Sequence, residues 1–141
     1  MLTRRFALII GIIYLIIGIL GFVPPLLSDP APGAPDLTVD ALYGYLLGIF
    51  PVNVLHNIVH LALGIWGIAA SRSFDASRFF SRGLAVIFIL LAILGLIIPT
   101  VFGLIPIFGN DIWLHALTGL IAAYFGWAAP EPAEREVIAR R

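Results

Sequence analysis

All three histidines of the chain fall in two short stretches, His56 and His60 in one and His115 in the other. Residues four apart share one face of a helix, so His56 and His60 present their imidazoles together. Asn53, Asn57, Asn110, Asp111 and Thr118 lie close by in sequence. Imidazole suits zinc, copper, nickel and iron. His56 and His60 can ligate one ion, with His115 and Asp111 completing a tetrahedral set. Alternatively, His60 and His115 clasp a haem from two sides.

A plainer reading of the same residues comes first. Histidine, asparagine and threonine hydrogen-bond across helices and hold their register, worth on the order of 0.6 to 2 kcal/mol each. Asn53 and Asp111 also stand where helix N-caps belong. On this reading the polar cluster needs no cofactor, and the protein is a non-enzymatic structural or accessory one. Binding of haem or a divalent transition metal is the alternative. A small oligomeric transporter is the second alternative, since intramembrane ionisable groups mark pathways. Against it, the inner halves of the apolar stretches carry no ionisable residue.

No enzyme pattern accompanies these residues. Nucleophile–base spacings, paired carboxylates and a glycine-rich phosphate loop are all missing from the sequence. Ser71, Ser73, Ser77 and Ser81 have no histidine near in sequence and read as helix caps. There is no cysteine, which removes disulfides and thiolate sites. The net charge is zero, so no phosphate run could be neutralised and nucleic acid is excluded as a partner.

The elements that must position the cluster follow from hydropathy. The chain is 61% hydrophobic and 11% charged, with a mean hydropathy of +1.08. A soluble domain carries about 25% charged residues, so this surface belongs in a bilayer. Four charge-free stretches run over residues 6–27, 41–70, 83–110 and 112–129. A spanning helix needs about 20 apolar residues. Pro51 divides the second stretch, and Pro99 and Pro106 end the third, because proline breaks helices. The expectation is an all-α membrane protein, a single domain over 1–141. Its four transmembrane helices run roughly over 6–24, 54–70, 83–98 and 112–128. Short interfacial or re-entrant segments precede the second and fourth. An outer loop covers 25–42 and a cytoplasmic tail 130–141.

Orientation follows from the arginines, the only cations besides histidine. Arg4 and Arg5 precede the first span, Arg72, Arg78 and Arg82 join the second to the third, and Arg135, Arg140 and Arg141 follow the fourth. The outer loops carry only Asp29, Asp36, Asp40 and Asp111. The positive-inside rule puts both termini in the cytoplasm. The first span reads as retained, because it ends in Pro24-Pro25 without a small-residue cleavage site.

The two halves resemble each other. A shift of 55 residues aligns Gly48 with Gly103, Pro51 with Pro106, His56 with Asp111, His60 with His115 and Gly64 with Gly119. The expected architecture is therefore two tandem hairpin repeats. Gly11, Gly18, Gly21, Gly64, Gly67, Gly119, Ala122, Ala123 and Gly126 stand at helical spacings that let helices approach closely. Partners are the bilayer and a second copy of the chain or another membrane protein.

The stretch Pro51-Val-Asn53-Val-Leu-His56-Asn57-Ile-Val-His60-Leu61 with Gly64-Ile-Trp-Gly67, and Gly109-Asn110-Asp111-Ile-Trp113-Leu-His115 with Thr118-Gly119, resembles the signature of a group of small bacterial membrane proteins. That group is classed as a domain of unknown function and is common in actinobacteria and cyanobacteria. The resemblance covers roughly 6–127. It implies four spans in a bacterial inner membrane, and it implies no activity, cofactor or catalytic residue.

Overall fold

The computed structural model describes residues 2–130. The expected tail, with Glu131, Glu134, Glu136 and Arg135, Arg140 and Arg141, lies outside the described residues. Four helices dominate: α1 (Leu2–Leu20), α2 (Val54–Ala70), α3 (Phe74–Ile97) and α4 (Asn110–Ala123). A π-helical turn, Tyr124–Ala128, continues α4. Two helices, α1 and α3, are long and apolar enough to cross a membrane, and α2 is a shorter apolar helix of 17 residues.

The helices pair as hairpins, α1 along α2 and α3 along α4. Both pairs are antiparallel. Arg4 Nε donates to Ser71 O at 2.8 Å, joining the start of α1 to the end of α2. Arg78 and Arg82 donate through Nε to Gly126 O at 3.1 and 2.8 Å, joining the start of α3 to the end of α4. The arginines therefore gather at one end of the bundle and the histidine helices begin at the other. Between the ends, Phe6, Ala7, Tyr14, Phe80, Leu84, Phe88 and Ala122 form a packed apolar core.

Glycine decides how closely α1 and α2 approach. A Cβ on Gly64 would stand 2.5 Å from Leu15 N, and one on Gly11 would stand 2.6 Å from Ile68 N. Only backbones without side chains fit at that separation, which is how small residues bind apolar helices together.

The structure departs from the all-α expectation at the histidine end. Leu27–Ser28 (β1), Gly44–Leu46 (β2) and Phe50–Val52 (β3) form a small antiparallel sheet in the order β1-β2-β3. The segment expected to be interfacial or re-entrant before α2 is thus the β2–β3 hairpin, with Tyr45 paired to Pro51. Proline at position 51 withholds one ladder donor, which an edge strand tolerates. Its counterpart before α4, residues 98–109, is a run of turns. Leu47 and Gly48 in the hairpin both have positive φ, and so do Phe102 and Gly103, the residues aligned with them by the 55-residue shift.

Helix bounds also shift. The first helix runs over 2–20 where 6–24 was expected, and a 3-10 turn at Pro24–Leu26 follows it. The third begins at Phe74, nine residues before the expected 83, so most of the expected inner loop is helical. Ser73 caps it by accepting from Ala76 N–H at 3.2 Å. Ser77 and Ser81 are not caps: they lie fully buried inside α3 and donate back to Ser73 O and Ser77 O. That local bond satisfies the hydroxyls and lets a polar stretch enter the core.

Replacing Gly64 by Val is expected to force α1 and α2 apart and destabilise the protein by about 1–3 kcal/mol, the usual range for overpacking. Thermal unfolding of the detergent-purified variant against the parent checks it; an unchanged midpoint would mean that the helices are not held at this separation.

Candidate metal centre

The site is built at the histidine end of α2 and α4. Asn53 starts α2: its Oδ1 accepts the His56 backbone N–H at 2.9 Å, satisfying one of the free donors of the first turn. Its Nδ2 donates to Val39 O at 2.8 Å and to Leu104 O at 2.7 Å. One buried side chain therefore starts the helix and joins the segment between α1 and α2 to the segment between α3 and α4. Backbone bonds reinforce the join, with Thr38 N–H and Val39 N–H both donating to Gly103 O.

Asn57, one turn on, donates through Nδ2 to Gly21 O at 2.7 Å, just past the end of α1. A Cβ on Gly21 would collide with the Asn57 amide. Helix α2 is thus tied to α1 by a polar contact at one end and a glycine contact in the middle.

His56, His60 and His115 are all buried. One ring nitrogen of each lies within 4.8 Å of one nitrogen of each of the others. The His56 and His60 rings stand 4.4 Å apart at 53°, and the His56 and His115 rings 6.1 Å apart at 23°. Tyr14 packs on His60 at 5.1 Å, and Phe88 meets His115 edge-on at 4.8 Å. Asp111 Oδ2 is 3.7 Å from His56 Nε2, too long for a hydrogen bond.

Among the described residues, five buried side-chain atoms have no hydrogen-bond partner: Nδ1 of all three histidines, Asp111 Oδ2 and Asn57 Oδ1. An unpartnered buried polar atom costs about 1–3 kcal/mol. Four of the five belong to one cluster. The histidine Nδ1 atoms therefore make no hydrogen bond that joins two elements, whereas the Asn53 and Asn57 amides bond to carbonyls of the segments that connect the helices.

The donor set fits a metal ion. Three imidazoles are a zinc or copper set. Tetrahedral zinc with N at about 2.0–2.1 Å places its ligand nitrogens roughly 3.4 Å apart. The nitrogens here all lie within 4.8 Å of one another, so they need to close by at most about 1.4 Å. Asp111 suits an orienting role beside His56, since ligating imidazoles usually give their second nitrogen to a carboxylate. Haem fits poorly. His56 crowds His60 where a macrocycle held between His60 and His115 would have to extend.

Residues 4–128 match the family described as "Domain of unknown function (DUF4383)". The chain belongs to that family. No curated protein and no solved structure matches it.

Within this DUF4383 chain the structure sorts the expected polar residues. Asn53, Asn57, Asp111 and Thr118 are buried beside the histidines along α2 and α4. Asn110 is exposed and stands apart: it donates to Ile49 O at 3.2 Å and accepts from Trp113 Nε1. Asp111 is not an N-cap. The cap position belongs to Gly109, with positive φ, and Asp111 sits in the first turn, turned inward. Tyr14 and Phe88 were missed as neighbours of the site. Tyr14 continues the Ala7, Gly11, Gly18 stripe of α1, and that spacing is the signal that places it inward.

Asn53→Ser keeps an N-cap oxygen and removes both amide bonds to the outer segments. It is expected to cost about 1–3 kcal/mol for two buried carbonyls left without donors. Hydrogen exchange should quicken in residues 38–41 and 103–105 before it does in α2; uniform exchange would refute the role of Asn53 as their tether.

Proposed function

We propose that the chain is a membrane protein that holds one transition-metal ion between His56, His60 and His115, with Asp111 orienting His56. The observation that carries this reading is the convergence of three buried imidazoles whose Nδ1 atoms have no protein partner. A bound ion would take one nitrogen from each ring. The structural role expected first rests instead on Asn53 and Asn57, which do bond between elements.

The membrane reading is four spans in a bacterial plasma membrane with both termini cytoplasmic. Supporting it are the exposed Ile9, Ile16, Ile65, Leu90, Ile97 and Leu120, which put apolar surface around the outside of the bundle. The arginines cluster at one end. On this reading α2 and α4 with its π-helical turn cross as well, and two tandem hairpins form the bundle. The role is non-enzymatic. Transport finds less support, because Tyr14, Phe88, Leu84 and Phe80 fill the interior between the histidines and the arginine end.

Metal analysis of gently purified protein is expected to find about one zinc or copper per chain. His60→Ala, His115→Ala should lose it while keeping helical circular dichroism. In parent protein first stripped of metal with a chelator, added metal at 100 times its Kd should stabilise by about 2.7 kcal/mol. Acidification should release the ion, because protons compete for the same nitrogen lone pairs. Absence of metal together with no stabilisation by added zinc or copper would sink the proposal, and a Soret band would replace it with haem.

The chain has no cysteine, so single cysteines report topology cleanly. Ala31→Cys should react with an impermeant maleimide on intact cells, and Ala76→Cys only after permeabilisation. The reverse pattern would invert the proposed orientation.

A further inference from the structure

The arginine end of the bundle carries a concave surface of its own. An open cavity of about 310 Å³ lies there, lined by Arg4, Arg5, Leu8, Ser71 and Arg72. Arg4 and Arg5 come from the first turn of α1, and Arg72 from the short link between α2 and α3. Ser71 O holds the Arg4 guanidinium through Nε at 2.8 Å, and the Arg4 Nη groups have no partner among the described residues. Arg5 and Arg72 are exposed and make no hydrogen bond or ion pair among the described residues. No carboxylate lines the cavity. Three like charges therefore share one concavity with nothing beside them to offset their repulsion. Arg78 and Arg82, at the same end, differ: they bond to Gly126 O and stand over the Phe74 and Trp127 rings.

An anion completes such a set, because guanidinium presents paired N–H donors that match two oxygens of a phosphate or carboxylate. The surface beside the cavity selects an anion with an apolar body. Arg4, Leu8, Ile12 and Ile16 follow at four-residue spacing and so lie along one face of α1. Leu8, Ile12 and Ile16 are all exposed, and Leu8 also lines the cavity. That face runs from guanidinium into about 12 Å of uncovered hydrocarbon, at 1.5 Å per residue. A free phosphate would use the arginines and leave the apolar face bare, whereas an amphiphile uses both. The head is larger than a carboxylate. At ~30 Å³ for each water-sized group, the cavity holds roughly ten groups, about a phosphodiester and its glycerol. An ammonium on that head would be repelled by the arginines.

We propose that this cavity binds the phosphate of a phospholipid with a net negative head, its glycerol in the cavity and one acyl chain along Leu8, Ile12 and Ile16. The proposal rests on the membrane part of the reading above and is independent of the metal.

The test uses the full chain in a neutral detergent, titrated with dioctanoyl lipids and followed by native mass spectrometry and thermal midpoint. Phosphatidylglycerol is expected to bind at about tenfold lower concentration than phosphatidylcholine, the order expected for one unit charge beside several arginines. Arg5→Gln, Arg72→Gln should keep the midpoint of the lipid-free protein. It should weaken phosphatidylglycerol about thirtyfold and leave phosphatidylcholine unchanged. Arg140→Gln, Arg141→Gln removes the same charge elsewhere and should leave both affinities as they are. Equal losses in the two variants would make the effect one of overall charge and overturn the proposal. So would equal affinity for phosphatidylcholine or decanoate, or inorganic phosphate binding as tightly as the lipid. Lipid binding that appears only after residues 131–141 are removed would give the cavity to Glu131, Glu134 and Glu136 instead. Carbonate washing of native membranes separates the two readings. A chain released by it overturns the membrane reading and this proposal together; a chain retained without lipid selectivity overturns this one alone.

Discussion

The histidine end of the bundle depends on the Asn53 side chain. Its oxygen begins α2, and its amide nitrogen holds a carbonyl from each outer segment. These groups are buried away from water, where each unpaired carbonyl would be costly. The direction of α2, the placing of the outer loop over residues 103–104 and the depth of His56 all follow from one residue. His56 lies three residues on and His60 seven, so the cap sets the rotation of the helix face that carries both.

Glycine supplies the complementary constraint. On the membrane reading proposed above, lipid tails are as apolar as leucine, so apolar helices gain little from one another's side chains. Close backbone approach at Gly11, Gly64 and Gly67 replaces that missing drive with van der Waals contact. Asn57 on the Gly21 carbonyl adds a directional bond to the same interface. The first hairpin is thereby locked in register, and His60 is held against Tyr14 on α1.

The cluster that results is polar, buried and only partly satisfied. Natural folds rarely leave several buried polar atoms unpartnered in one place without a functional reason. Asn53 uses its donors and acceptor fully, which shows that this fold can satisfy a buried amide where it needs to. The imidazoles beside it are left open on one nitrogen each. They stand next to a carboxylate, an arrangement that the proposed metal ion would complete.

Much of the helical layout could be read along the chain. Apolar length and proline placement marked the helices, and α2 falls over 54–70 in both sequence and structure. Asn53 stands in the cap position that its residue type suggests. Serines and arginines in the 71–82 stretch concealed the true start of α3, because hydroxyls that bond back to their own helix are invisible to a polarity scan. The β2–β3 hairpin was hidden for a similar reason: its short strands are as apolar as the helices beside them, and length alone does not separate the two. Spacing placed His56 and His60 on one face, since helical period is a local property. Only the tertiary structure brought His115 to them, turned Asp111 inward and moved Asn110 to the surface. Those outcomes depend on how two hairpins pack, and packing is set by contacts between residues far apart in the chain.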